Sequence, residues 1–245
     1  MIALSALALS LVVLWIVSVR IRDSSIVDVF WGPAYVIVAW LTVLEFHPSP
    51  RGLLVAGLVS VWGLRLAIYL ARRNLGHGED KRYVAMRNKH GPSWWWRSLF
   101  IVFALQGALA WVVSLPVRTA IVSSFEAWRW TDVLGVVLVT FGIAFEAVGD
   151  WQLAAFKRDP AHKGKIMNRG LWRYTRHPNY FGDFVVWWGF GVLGADLFSL
   201  LGPAVMSVLL IRVSGKALLE AGMRGRPGFA EYEKATSGFF PWWPN

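Results

Sequence analysis

Apolar runs of about 15 to 20 residues recur along this chain, and they restrict its fold more than any other feature. An α-helix of about 20 residues crosses a hydrocarbon core about 30 Å thick. The chain is also 56% hydrophobic and only 16% charged, unlike a typical soluble domain. We therefore predict an all-α membrane protein with about seven transmembrane helices. The runs lie at residues 1–19, 26–44, 53–70, 99–117, 133–148, 181–195 and 197–213. The last two also suit one broken helical hairpin that turns at residues 194–196.

The cations of the chain are distributed unevenly between the two predicted sides of the membrane. The segments after the third and fifth predicted helices hold seven Lys or Arg residues each, the C-terminal tail holds five and the first loop two. The opposite side holds Arg51, Arg118 and Arg129, and Arg65 falls inside a helix. Because cytoplasmic loops carry an excess of Lys and Arg, we predict that the N-terminus lies outside and the C-terminus in the cytoplasm. The net charge of +10 then faces membrane lipids, and we expect no nucleic-acid partner.

The remaining composition excludes several kinds of site. The chain has no cysteine, so it has neither a disulfide framework nor a thiolate metal site, and its five histidines lack ligand spacing. We expect no bound metal. The first apolar run is followed by Arg20 and Arg22, which favours a retained helix over a cleaved signal peptide. With no repeat and no long linker, we predict one integral membrane domain over residues 1–245.

A polar cluster lies between the fifth and sixth runs, in the sequence GLWRYTRHPNYFGD. Its chemistry suits a nucleotide: a planar guanidinium for phosphate, an amide and a carboxylate four residues apart, and a helix starting near Pro178 whose free amides face an anion. Ionisable groups at a membrane edge are also costly unless they have a function. The alternative is that Arg176 pairs with Asp183 and His177 caps a carbonyl. The cluster contains Arg176, His177, Asn179, Tyr180 and Asp183.

Two carboxylates precede this cluster at helical spacing. Glu146 and Asp150 are four residues apart and so share one face at the end of the fifth predicted helix. Four cations follow them, which predicts a bridged cluster of opposite charges. The alternative is a solvated helix end whose lysines touch anionic lipid headgroups. The cations are Lys157, Arg158, Lys163 and Lys165.

Five stretches of the chain resemble the steroid 5-alpha-reductase superfamily, most closely its bacterial DUF1295-type membrane proteins. They read DSSIVDVFWGPAYV, RNLGHGEDKRYVAMR, FEAVGDWQLAAFK, GLWRYTRHPNYFGDFVVWWG and RPGFAEYEKATSGFFPWWP. The fourth is the most specific, because sterol reductases carry a very similar run. The resemblance implies a seven-helix fold in a bacterial inner membrane, with NADPH in a cavity that opens to the cytoplasm. Helices 1–4 would then face the substrate and residues 131–245 would bind the cofactor.

The resemblance also implies cofactor contacts. The steroid reductases prefer Asn where Glu146 stands and Arg where Lys157 and Lys165 stand; Lys still neutralises phosphate, but without a planar fork. Arg82 lies in a segment that would cover the nucleotide. The implied contacts are Glu146, Asp150, Lys157, Lys165, Arg176, His177, Asn179, Tyr180, Asp183, Tyr232 and Arg82.

The implied reaction is hydride transfer to the conjugated double bond of a lipophilic enone, either a 3-oxo-4-ene steroid or an isoprenoid-like lipid. A proton donor in an apolar pocket must polarise the carbonyl. Trp31 and Trp62 stand where the family has its glutamate and tyrosine, so Asp28, Tyr35 and Tyr69 are the candidate donors. In the alternative reading Asp28 pairs with Arg65, and the tyrosines only pack.

Two other classes of protein remain open. Membrane methyltransferases of the isoprenylcysteine carboxyl methyltransferase type bind S-adenosylmethionine and resemble this chain at RHPNYFG. They usually have an aromatic residue where Asp183 stands, whereas sterol reductases have an acid, so Asp183 favours a reductase. The third class is a non-catalytic membrane protein that binds nucleotide or lipid. The sequence sets neither the lipophilic substrate nor the oligomeric state.

Overall fold

The computed structural model describes residues 1–123, 128–194, 196–213 and 215–244, and all regular secondary structure in these ranges is helical. Two π-helical segments, Leu99–Ala104 and Leu209–Val213, interrupt the α-helices. The α-helices are α1 Ile2–Ile21, α2 Ile26–Phe46, α3 Pro50–Asn74, α4 Lys81–His90, α5 Trp94–Ser98, α6 Leu105–Val113, α7 Leu115–Val122, α8 Trp130–Arg158, α9 Pro178–Gly194, α10 Leu201–Val208, α11 Lys216–Met223 and α12 Phe229–Ala235.

Six helical segments in the described part of the chain are long and apolar enough to cross a membrane. Their length and composition indicate an integral membrane protein, as predicted. The sixth predicted run falls on α9, a helix of 17 residues, and its last residue, Ala195, lies outside the described residues together with part of the predicted turn. The six segments are Ile2–Ile21, Ile26–Phe46, Pro50–Asn74, Lys81–Val113, Trp130–Arg158 and Phe198–Met223.

The fourth and fifth spanning segments have boundaries that differ from the prediction. The fourth spanning segment begins at Lys81 rather than residue 99, because Asp80 caps α4 by accepting a hydrogen bond from the Arg82 amide at 2.9 Å. The segment ends at Val113, since Pro116 in the first turn of α7 starts a new helix. The fifth segment continues to Arg158, ten residues beyond the predicted end at residue 148 (158 − 148 = 10). Cations in its last turn favour this extension through the helix dipole.

The chain forms two compact units, one from Met1–Trp128 with Gly194–Leu201 and the other from Arg129–Leu193 with Gly202–Asn245. In the first unit the backbones of α2 and α3 are in contact at Gly32 and Gly63. The contact is so close that a side chain at Gly32 would collide with the Gly63 carbonyl. Arg51, which is buried, joins α3 to α7 by donating to the Ala120 carbonyl at 3.1 Å. The single-domain organisation and the division into substrate and cofactor parts stay predictions.

Candidate functional site

In the second unit, glycines hold α8 and α9 in backbone contact. A methyl group at Gly142 would lie 2.7 Å from the Gly182 carbonyl oxygen, and one at Gly189 would lie 2.8 Å from the Val139 amide. Small residues let membrane helices approach this closely. The glycines recur every seven residues on both helices, so they form one continuous stripe. The stripe contains Gly135, Gly142 and Gly149 on α8 and Gly182 and Gly189 on α9.

Three carboxylates are buried beside this glycine stripe. Glu146 and Asp150 are each only 3% exposed and Asp183 is 7% exposed. Glu146 lies directly at the contact, because a methyl group on Gly182 would sit 2.5 Å from its amide nitrogen. Since α8 continues two turns past Asp150, neither acid of α8 lies at a solvated helix end. Within the described residues, no group of three or more His, Asp or Glu is arranged to hold a metal ion.

Arg176 is held by partners inside the protein. Its Nε donates to Glu220 Oε1 at 2.9 Å, and its Nη1 donates to the carbonyls of Glu233 and Thr236 at 2.9 and 2.7 Å. The side chain is buried, and its guanidinium closes the C-terminal end of α12. The structure therefore joins Arg176 to Glu220, a residue that the sequence analysis had not singled out.

His177 shares the same carboxylate. Its Nε2 lies 3.1 Å from Glu220 Oε1, and its ring stacks on Tyr180 with centroids 5.6 Å apart. Burial lowers the pKa of His177 to about 4, although Glu220 acts in the opposite direction. The imidazole is thus neutral at pH 7. Because a carboxylate only accepts hydrogen bonds, we assign the proton to Nε2.

The C-terminal tail fastens this segment through its backbone. The Arg176 amide donates to the Ser237 carbonyl at 2.9 Å, and the Trp242 amide donates to the Tyr174 carbonyl at the same distance. The Thr175 hydroxyl donates to the Phe239 carbonyl at 2.8 Å. The position of the polar cluster recognised in the sequence therefore depends on hydrogen bonds to the tail as well as on the start of α9.

Tyr232, a predicted cofactor contact, also joins the tail to this segment. Its hydroxyl donates to the Trp172 carbonyl at 2.6 Å, and Trp172 Nε1 donates to the Gly149 carbonyl of α8 at 3.0 Å. Burial raises the pKa of Tyr232 above its ordinary value. The hydroxyl stays protonated at pH 7, so it serves here as a donor.

The predicted lysine contacts are exposed. Lys157 lies in the last turn of α8 and Lys165 in the loop that follows, and both side chains reach solvent. Asn179 and Tyr180 are half-buried in the first turn of α9. A methyl group at Gly149 would lie 3.2 Å from the backbone amide nitrogen of Asn179. Because Gly149 is the neighbour of Asp150 in the chain, the start of α9 lies next to the acidic part of α8.

The predicted donors and Arg82 all lie in the first unit. Asp28 accepts from Arg82 Nη2 and from the Tyr83 hydroxyl, each at 2.7 Å. Tyr35 is buried, and its ring is in edge contact with Trp31 and Trp62. Tyr69 is half-buried, and the Arg73 guanidinium lies 5.8 Å from its ring centroid.

Arg82 also binds Asp80, with its Nε donating to Oδ1 at 3.0 Å. Burial opposes ionisation of Asp80, but the hydrogen bonds from Arg82 outweigh it and lower the pKa of Asp80. Arg82 therefore bridges Asp28 and Asp80. No sequence pattern indicated this bridge, because Asp28 and Arg82 are 54 positions apart in the chain.

Tyr83 and Gln106 extend the Asp28 contact towards a small apolar cavity lined by residues of α1, α2 and α6. Gln106 Nε2 donates to the Tyr83 hydroxyl at 3.2 Å, and Gln106 also lines the cavity, directly after the π-helical segment Leu99–Ala104. Such π-helical segments often occur at functional sites. Sequence reasoning missed Tyr83 and Gln106 as candidates. The cavity lining contains Leu7, Leu11, Val27, Phe30, Trp31, Ala34, Gln106 and Ala110.

Glu220 and the glycine stripe were the other omissions. The seven-residue spacing of glycines on α8 and α9 is visible in the sequence and predicts a close helix contact. No sequence pattern indicates that Glu220 is a partner of Arg176 or His177. It lies more than 40 positions after Arg176 and His177, and only the folded chain brings the three together.

Comparison with known proteins identifies the family of this chain. Residues 14–236 match the family described as "Protein of unknown function (DUF1295)". Over 268 aligned residues the chain is 27% identical to "Uncharacterized protein C594.04c" of Schizosaccharomyces pombe (strain 972 / ATCC 24843), covering 94% of this chain and 76% of that relative. No solved structure matches the chain. Because the family match covers most of its length, the protein belongs to the DUF1295 family.

Proposed function

We propose that this protein is an NADPH-dependent reductase of the conjugated double bond of a lipophilic enone. One observation carries the proposal: the buried acids Glu146, Asp150 and Asp183 lie at a rigid helix contact, and the loop after α8 is cationic. Carboxylates accept hydrogen bonds from ribose hydroxyls, and exposed lysines neutralise phosphates. The likeness of residues 170–189 to sterol reductases supports the same assignment.

Rigid positioning of the acids is central to the proposed cofactor site. Glu146 lies at the Gly182 contact, and Asp183 is the next residue on α9, so the close backbone contact fixes where both side chains start. Such preorganisation reduces the entropy lost on binding. The uneven distribution of cations supports a site that opens to the cytoplasm, where NADPH is available.

The substrate side of the proposal falls in the first unit. When bound, the cofactor supplies a hydride to the β carbon, and the carbonyl oxygen then needs a hydrogen-bond donor while the α carbon takes a proton. Asp28 already accepts two hydrogen bonds, so it acts best as the partner that orients the Tyr83 hydroxyl. Gln106 carries the polar contact from Tyr83 to the cavity. Because the Tyr83 hydroxyl donates its only proton to Asp28, Tyr83 serves to position Gln106. Gln106 Nε2 has a second N–H, so we propose Gln106 as a donor beside the predicted Tyr35 and Tyr69.

The lining of the cavity favours a lipophilic substrate. Apart from Gln106, the side chains around it are apolar or aromatic. This lining supports a lipophilic enone of either class, an isoprenoid-like lipid or a 3-oxo-4-ene steroid.

Ligand-dependent thermal stabilisation of the purified protein tests the cofactor. A ligand that binds only the folded state at 100 times its Kd adds about 2.7 kcal/mol to the free energy of unfolding. We expect stabilisation by NADPH, no effect of S-adenosylmethionine, and a loss of the NADPH effect in Asp183→Asn. Glu231→Gln, which changes an exposed acid on α12, is the matched control and should respond like the wild type. Stabilisation by S-adenosylmethionine alone would make the protein a methyltransferase.

Turnover tests the reaction itself. We expect NADPH oxidation when a polyprenyl enone or a 3-oxo-4-ene steroid is added, with the saturated ketone as product. Tyr83→Phe should reduce turnover and leave NADPH binding intact. A protein that binds NADPH but reduces neither class of enone would contradict the proposed reaction and leave a nucleotide-binding protein.

A further inference from the structure

Two cationic nitrogens converge on the backbone of Gly238. A methyl group at this position would lie 2.7 Å from Lys216 Nζ and 3.2 Å from Arg176 Nη2. These distances are shorter than ordinary contact, so both cationic groups lie close against the backbone of Gly238 and converge on one point. Gly238 and Lys216 are half-buried, so this point can be reached from solvent.

The guanidinium of Arg176 is fixed in position with one nitrogen still available. Its Nε and Nη1 are engaged by Glu220 and by two backbone carbonyls. Its Nη2 lies 3.9 Å from Glu233 Oε1, which is too far for a hydrogen bond. Within the described residues, the side of the guanidinium that faces Gly238 therefore carries unused donors on a rigid group.

Lys216 supplies the second charge from a different element. It is the first residue of α11, and the first amides of a helix lack partners within the helix and favour anions. Within the described part of the chain, its Nζ has no hydrogen bond or ion pair. Among the described residues, the ionisable groups around this pair include His177, which is neutral, and Glu220, which is engaged by Arg176 and His177. The half-exposed Glu233 and the protonated Tyr232 also lie near Arg176.

We propose that Lys216 Nζ and Arg176 Nη2 form a phosphate-binding subsite beside Gly238. An anion that approaches both nitrogens from the solvent side would accept a hydrogen bond from each cation. If the proposed function holds, the phosphate belongs to the nucleotide; a phospholipid headgroup offers the same chemistry. The inference thus deepens the proposed function by adding Lys216 and Gly238 to the cofactor site and limiting the ligand contact of Arg176 to one nitrogen.

Two variants test the subsite in different ways. Lys216→Met removes one cation and keeps the length of the side chain. Gly238→Asp introduces a carboxylate between the two cations, which should occupy the subsite while preserving the fold, because the mobile end of Lys216 can adjust to the new side chain. Lys234→Met, an exposed lysine on α12, is the matched control.

Calorimetric titration with NADPH and NADH is the first measurement. Each test variant should bind NADPH about ten- to a hundredfold more weakly, as expected for a lost hydrogen bond between charged groups, and Lys234→Met should bind it like the wild type. Unchanged NADH binding would assign the subsite to the 2′-phosphate, and a parallel loss would assign it to the diphosphate. NADPH affinities within twofold of wild type in both test variants would overturn the subsite and leave the reductase proposal standing.

A second measurement separates the two proposals. If the wild type binds neither nucleotide, the proposed function fails, and inorganic pyrophosphate and phosphatidic acid in phosphatidylcholine vesicles become the probes. Stabilisation of the wild type by either probe, lost in Lys216→Met and kept in Lys234→Met, would support the subsite and identify the source of its phosphate. No stabilisation of the wild type by either probe would refute it.

Discussion

A methyl group added at Gly182 tests the packing that positions the candidate cofactor site. In Gly182→Ala the new Cβ would lie 2.5 Å from the Glu146 amide nitrogen and 2.7 Å from both the Glu146 Cβ and the Gly142 carbonyl oxygen. Ordinary contact begins at 3.4 Å, so α8 and α9 must separate by about 0.7 to 0.9 Å (3.4 − 2.7 and 3.4 − 2.5). Backbone atoms cannot rotate away as a flexible side chain can.

The expected cost follows from two opposing effects. Overpacking a close contact costs about 1 to 3 kcal/mol, whereas Ala in a helix is about 0.5 to 1 kcal/mol more favourable than Gly. We expect Gly182→Ala to lower the free energy of unfolding by about 1 to 2 kcal/mol. A methyl group added in Gly57→Ala in α3 or in Gly222→Ala in α11 has no neighbouring atom within 4 Å. Each of these substitutions should therefore raise the free energy of unfolding by about 0.5 to 1 kcal/mol.

Denaturation with sodium dodecyl sulfate, measured for all four proteins under one detergent condition, gives the order of stability. Gly182→Ala should unfold first, the wild type next and the two control variants last. NADPH affinity should also fall in Gly182→Ala, since Glu146 and Asp183 flank the contact. A Gly182→Ala protein as stable as the two controls would refute the backbone contact and the site geometry built on it.

Three further changes test individual contacts. Because the pKa of His177 is about 4 in the folded protein and 6.5 is its ordinary value, the unfolded state binds more protons between these pH values. Stability should therefore fall by at most about 3 kcal/mol as the pH drops from 6.5 to 4; an equally steep fall in His177→Gln would contradict this. Asp28→Asn removes the charge that accepts from Arg82 and Tyr83 and should reduce turnover without weakening NADPH binding; full activity would remove Asp28 from the mechanism. Tyr232→Phe removes the hydrogen bond to Trp172 and should cost about 1 kcal/mol of unfolding free energy; a protein as stable as the wild type that binds NADPH more weakly would show instead that the hydroxyl contacts the nucleotide.

Local patterns predicted the helices well. Each of the six spanning segments overlaps a predicted apolar run, because burial in hydrocarbon depends on composition over about 20 residues. The boundaries near residues 81 and 158 were wrong, because polar residues such as Lys157 and Arg158 continue a helix readily once it has started. Hydropathy alone does not detect such extensions.

Partners of the charged side chains were harder to predict. The sequence predicted Asp28 either as a proton donor to the substrate or as a partner of Arg65. In the structure Asp28 accepts hydrogen bonds from Arg82 and Tyr83. The sequence predicted that the planar guanidinium of Arg176 binds a phosphate. In the structure most of its N–H donors bind Glu220 and backbone carbonyls. Long-range partners of this kind depend on how helices pack.

The sequence by itself determined the class of this protein, its spanning helices, the spacing of the glycines and the presence of polar residues around Pro178. These features follow from hydrophobicity and helical periodicity, which act over a few turns of one helix. Only the tertiary structure decided that Glu220 holds Arg176 and His177, that Tyr83 joins Asp28 to a cavity, and that Lys216 and Arg176 converge on Gly238. Each of these contacts joins residues more than 20 positions apart, and their side chains meet only when close helix packing and the folded tail bring them together.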